Sequence, residues 1–178
     1  MHRKQKVALL VLLLSLLVLL AGCAGVKSNS AQNTATPATS PSPTPLQMTV
    51  ADLAKLRWIE GRWMGTGGGV PTFFERYKFE DDSTLLVETL ADESGSKVTD
   101  VSRFELKDGH FGHSEGESGS VATAFDGNSI TFSPLGKSRN SFRFQHETTG
   151  KWKAILNWVD KDGVAKERVY TMDRLPER

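Results

Sequence analysis

The stretch GRWMGTGGGVPTFF, residues 61–74, carries Gly61, Gly65, Gly67, Gly68 and Gly69 beside Trp63. Glycines packed this densely let a backbone wrap a phosphate. A P-loop, however, also needs a Lys and a Ser or Thr after its last glycine, and a helix whose N-terminus faces the phosphates. Here Gly69 is followed by Val70, Pro71 and the strand-like TFFERYKFE, so nucleotide binding has no support. HFGHSE offers His110, His113 and Glu115 as metal ligands. Residues three apart on a strand face opposite sides, so only His113 and Glu115 can share an ion, and a solvated hairpin is the simpler account. His146 follows Phe142 and Phe144 at two-residue spacing, which suits a packed histidine. The chain has no GxSxG or HExxH, and its one cysteine is Cys23, so an enzyme reading has no residue to name.

A second set of polar groups sits beside aromatics: Arg76 and Tyr77 in FFERYKFE, Arg103 in VSRFEL and Arg143 in SFRFQHE. Pointing into a cavity, the guanidinium groups would favour a carboxylate ligand, which they can grip with two hydrogen bonds. Pointing outward, they would form a solvated face with Glu75, Glu105 and Glu147, the commoner arrangement for charged residues.

The elements that must position these groups are legible in the turns. EDDS (80–83), DESGSK (92–97), KDG (107–109), GESG (116–119), DGN (126–128), TTGK (148–151) and KDG (161–163) place Gly, Asp, Asn or Ser where hairpins need unusual backbone angles. Between them lie strand-length segments rich in Val, Ile, Phe, Thr and Trp. KWKAILNWVD alternates cleanly, with Trp152, Ala154, Leu156 and Trp158 on one face. Ahead of the strands, TVADLAKLRWIEG spaces Val50, Leu53, Ala54, Leu56 and Trp58 for one side of a short helix, with Thr49 as its cap. These signals predict an all-β fold over residues 48–178, an antiparallel up-and-down β-barrel of about nine or ten strands with a short N-terminal helix. A meander of that length removes its edges by closing.

The N-terminus has a different character. Arg3, Lys4 and Lys6 precede an apolar run from Val7 to Ala21 broken only by Ser15. That run is shorter than the roughly twenty residues a spanning helix needs, and it ends in small residues, which reads as a signal peptide over 1–22. Residues 24–47 are small and polar with Pro37, Pro41, Pro43 and Pro45, a composition that stays extended as a tether. Losing residues 1–22 leaves 19 of the 22 basic residues against 21 acidic ones, a net of −2 without a basic cluster. Nucleic acid is therefore not an expected partner.

The segment LLAGC resembles the lipobox of bacterial lipoproteins, with Leu20, Ala21 and Gly22 leading into Cys23. The resemblance implies cleavage before Cys23 and acylation of it, so that the acyl chains anchor the protein to a membrane. It also implies a place in the cell envelope: the outer membrane if the organism has two, since Ala24 rather than an aspartate follows the cysteine, and otherwise the outer face of the cell membrane.

Gly61, Arg62 and Trp63 resemble the GxW on the first strand of lipocalins and other calycins. LAKLRWIEGRWMG is also similar to the opening of nitrobindin-like proteins and of an uncharacterised family of bacterial lipocalin-like domains. The likeness implies that Trp63 plugs the closed end of the barrel, beneath a basic side chain such as Arg168 or Arg174. Nitrobindins hold haem through a histidine near the C-terminus. RVYTMDRLPER has none, leaving only Tyr170 or Met172, so no cofactor is expected. Together these readings give a monomeric, lipid-anchored, non-catalytic protein whose barrel binds a small apolar or acidic ligand, with Arg76, Tyr77, Arg103 and Arg143 as candidate contacts. The alternative is a structural lipoprotein with a packed barrel and a protein partner in the envelope.

Overall fold

The computed structural model describes residues 44–177, so the expected signal peptide, Cys23 and most of the expected tether lie outside the described residues. The first helix, α1 (Val50–Lys55), begins with a reciprocal cap: Thr49 Oγ1 accepts from the Asp52 amide, and Asp52 Oδ2 accepts from the Thr49 amide at 3.0 Å. A 3-10 turn (Arg57–Ile59) follows. The inward side of this segment is Leu53, Leu56 and Ile59, all nearly fully buried. Val50, expected on that side, is 46% exposed, and Ala54 is exposed too. Spacing by three keeps Leu53, Leu56 and Ile59 in line into the tighter turn and takes Ala54 off that side.

Ten strands follow: β1 (Gly61–Gly67), β2 (Phe73–Asp81), β3 (Thr84–Leu90), β4 (Val98–Lys107), β5 (His110–Glu115), β6 (Ser118–Phe125), β7 (Ser129–Gly136), β8 (Ser141–Thr148), β9 (Lys151–Val159) and β10 (Ala165–Arg174). Each pairs antiparallel with the next, and β1 pairs with β10, which closes the barrel. The chain thus forms the up-and-down architecture that the lipocalin resemblance implies. The turns work as their sequences suggest. Asp108 and Gly109, with φ of 51° and 79°, make the tight β4–β5 reversal, and Asp126 Oδ1 accepts from the amides of Asn128 and Ser129 between β6 and β7. No helix among the described residues is long and apolar enough to cross a membrane.

One end of the barrel is closed by α1, the 3-10 turn and the chain before them. The Leu46 amide donates to the Ala122 carbonyl at 2.8 Å and the Met48 amide to Gly109 at 2.7 Å, while the Met48 side chain is buried. The fold therefore takes in Leu46 and Gln47, which the sequence assigns to the tether. The opposite end is bordered by the loops that join β1–β2, β3–β4, β5–β6, β7–β8 and β9–β10.

Candidate functional site

Alternation decides what enters the barrel. On β2, Phe73, Glu75 and Tyr77 point inward and Arg76 and Lys78 outward. Residues opposite one another in neighbouring strands share a face, so Trp63 and Gly65 of β1 and Val87 of β3 join the inner set. At the closed end Trp63 is fully buried, and its indole Nε1 donates to the Ile59 carbonyl at 2.7 Å. Of the two basic residues expected over it, Arg174 takes the place. Its guanidinium carbon lies 4.4 Å from the ring centroid, and it donates to the Glu60 carbonyl at 2.7 Å and the Thr149 carbonyl at 3.2 Å. Arg168 lies nearer the other end, against Trp158. His146 stacks on Trp58, 5.0 Å between centroids, so it packs at the closed end.

Above Trp63 the interior is an aromatic layer. Trp152 makes edge contacts with Trp63, Tyr77 and Phe144 at 5.9, 5.3 and 5.1 Å. Within this layer lies Glu75, completely buried. Tyr77 Oη donates to its Oε2 at 2.7 Å, while its Oε1 has no protein partner, nor does Trp152 Nε1. Burial raises the Glu75 carboxyl to about 7, against the smaller opposing effect of the Tyr77 hydrogen bond, and no basic group contributes. The Tyr77 phenol is pushed well above its usual range by burial first and by Glu75 second. Glu75 therefore carries its proton below neutral pH.

Further from the closed end the lining changes. Phe73, Phe142 and Leu156 keep 8%, 9% and 8% of their surface exposed, and Ser102 and Ala154 also touch solvent. These side chains line a shallow cup at the mouth, and the Glu75–Tyr77 pair lies buried beneath it, out of contact with solvent. At Gly65 the Phe73 ring fills the space a Cβ would need, so this glycine lets the ring pack flat on β1. At the mouth, Arg168 Nη1 lies 3.5 Å from Tyr170 Oη, and Val98, Leu135, Val159 and Val164 are exposed around the rim.

Of the four sequence-predicted contacts, only Tyr77 enters the barrel, and it lies toward the closed end, opposite Gly61. Arg76, Arg103 and Arg143 lie on the outer face, because each alternates with an inward aromatic. Their partners also differ from those expected. Arg76 and Lys78 both pair with Glu88, Lys78 at 2.7 Å, and Arg103 pairs with Glu80. Glu75 cannot serve Arg76, since adjacent strand residues face opposite ways, and Glu105 and Glu147 bind Lys107 and Lys153 instead. Arg76 does border an outer depression of about 530 Å³ with Arg62, Lys78, Gly95 and Glu177. His113 Nδ1 lies 2.9 Å from the Arg103 carbonyl oxygen, and His113 Nε2 lies 3.9 Å from Glu115. His110 turns instead to Gln47 and the Leu46 carbonyl oxygen. Among the described residues no group of three His, Cys, Asp or Glu is arranged to hold a metal. Tyr170 and Met172 are both buried on the inner face, Tyr170 edge-on to Phe73 at 5.4 Å.

No family model matches the chain. No match was found among curated proteins. Among solved structures the chain is similar to one described as the structure of EF1p2_mFAP2b bound to DFHBI, at 13% identity over 69% of this chain and 98% of that one, with a TM-score of 0.36. That likeness is too slight to carry an argument about function.

Proposed function

We propose that this is a lipid-anchored envelope protein whose barrel reversibly binds a small, largely apolar ligand without chemical change. The observation that carries the reading is the contact with solvent that the inward-facing Phe73, Phe142 and Leu156 keep at the open end of the barrel. Apolar walls with a few polar groups, here Ser102 and Arg168, are the usual make-up of a small-molecule site. With the arginines outside, the case for an acidic ligand rests only on Arg168 at the mouth. The exposed apolar rim favours a second reading, a protein partner docked over the mouth.

Two measurements test this. Thermal-shift screening of the full chain in lipid nanodiscs against apolar alcohols, lipids and small acids is expected to give saturable hits that the rim-facing substitution Leu156→Trp abolishes; a complete lack of hits moves the reading to the docked partner. Separately, Cys23→Ser is expected to abolish incorporation of labelled fatty acid, and continued labelling would remove the anchor.

A further inference from the structure

On the outer face, away from the cup, Arg62, Arg76 and Lys78 line the depression of about 530 Å³, with Ser94 and Gly95 of the β3–β4 loop beside them. Strand pairing sets Arg62 of β1 directly opposite Arg76 of β2, and like charges so placed repel. Arg62 is nevertheless fixed there. Its Nη1 donates to the Ser94 carbonyl at 3.0 Å and its Nη2 to the Pro176 carbonyl at 2.9 Å, while its Nε has no partner among the described residues. Carbonyls hold a guanidinium in place without cancelling its charge. Gly95, at φ 67°, lets the loop close onto it, since a Cβ there would lie 3.1 Å from Arg62 Nη1. Arg76 and Lys78 share one carboxylate, Glu88, which Arg76 engages through Nε and Nη2 and Lys78 at 2.7 Å. Arg76 Nη1 and the remaining ammonium protons of Lys78 are left for another acceptor. The acidic residues at the border do not take up that excess. Glu60 gives both oxygens to Arg57 and one of them also to the Phe79 amide, and Glu177 is exposed near the C-terminus.

We propose that this depression binds a phosphate monoester, with the dianionic phosphate among Arg62, Arg76 and Lys78. Donors that reach one space from three side chains suit the tetrahedral oxygens of a phosphate better than a flat carboxylate, which a single guanidinium can satisfy. The depression is far larger than one phosphate ion, which leaves room for the esterified group. A lipid head group and a soluble ester present the same phosphate, and the test separates them. The site is distinct from the barrel interior and stands whether or not the cup takes a ligand.

Glycerol 3-phosphate is titrated calorimetrically into the full chain in phosphatidylcholine nanodiscs, with empty nanodiscs as the blank, at a pH of about 8, well above the second phosphate pKa of about 6. Saturable binding is expected, weakening as salt rises and at least about tenfold tighter than that of glycerate. Arg76→Gln and Lys78→Gln are each expected to weaken it about tenfold, as the loss of a charge-assisted hydrogen bond does. Arg103→Gln, on the same outer face but outside the depression, is expected to leave it unchanged. The site is overturned by a lack of saturable binding, by equal binding of glycerate, by unchanged affinity in both Arg76→Gln and Lys78→Gln, or by an equal loss in Arg103→Gln. Nanodiscs carrying phosphatidic acid identify the source. If they weaken glycerol 3-phosphate binding more than phosphatidylglycerol does at equal surface charge, the ligand is a lipid head group; if they do not, it is a soluble ester, and either result supports the phosphate site.

Discussion

The two halves of the barrel solve opposite problems with the same strands. Near α1, Leu56, Ile59, Trp63, Trp152 and Met172 have no exposed surface at all, and even the polar edge of Trp63 is satisfied by a backbone carbonyl. Higher on those walls, Phe73, Phe142 and Leu156 stay in touch with water, with the smaller Ser102 and Ala154 beside them. The closed half holds the sheet together through dense aromatic contact, and the cup gives up some of that density. Glu75 and Tyr77 lie at the boundary, where a polar pair is too deep to be hydrated and too lightly held to be fully satisfied.

The comparison is tested most severely at its densest point. Trp63→Ala is expected to cost about 3–5 kcal/mol in denaturant unfolding, because a large buried side chain is replaced by a cavity under Arg174. A loss below about 1 kcal/mol, the typical effect of an average substitution, would mean that the closed half is not what holds the barrel.

The boundary is tested by pH. Folded, Glu75 keeps its proton up to about 7; unfolded, it releases it near the ordinary 4.5. Between these values the unfolded chain binds fewer protons, so this residue's contribution to stability is full below pH 4.5, falls as pH rises and levels off above about 7. The total fall is on the order of 3 kcal/mol. Glu75→Gln should remove it, so the stability of the variant relative to the native chain should grow by about that amount from pH 4.5 to 7. Parallel stability curves for the two proteins would show the carboxyl to be hydrated.

A smaller effect is expected in the cup. Gly65→Ala forces the Phe73 ring aside, an overpacking change that typically costs about 1–3 kcal/mol. Because Phe73 borders water, the effect should lie at the low end of that range and show itself more in ligand affinity. On the outer face, Arg103→Ala breaks an exposed pair with Glu80 and should cost at most about 1 kcal/mol, with ligand binding unchanged. A loss of binding would return the outer arginines to the site.

Much of the architecture could be read from the sequence because its turns are chemically explicit. All seven turn motifs lie at strand-to-strand reversals, and the face shared by Trp152, Ala154, Leu156 and Trp158 is the inner one, with Trp158 part-buried toward the mouth. The β7–β8 reversal carries no comparable cluster of turn residues. Its sequence, GKSRN, carries only Gly136 as a marker, at φ 59°. The site was harder for a physical reason. Phe73, Glu75 and Tyr77 share a face by simple alternation, so the inward glutamate was visible in the spacing. Yet the general rule that charged residues face solvent assigns it to an arginine outside. A carboxyl that is neutral when folded escapes that rule, and only the three-dimensional surroundings reveal its state.

The seam between β1 and β10 sets Trp63 opposite Arg174 and Gly67 opposite Tyr170, so the first strand has to wait for the last. Until residue 174 has been synthesised, β1 has only β2 beside it and the sheet is a curled ribbon with two bare edges. Bringing such distant segments together is a late step with a large loss of chain entropy, which places folding in the slow range of β-topologies. The clasp of Arg174 over Trp63 then acts as a completion signal: a chain cut short before β10 is left with exposed strand edges that can pair with other chains.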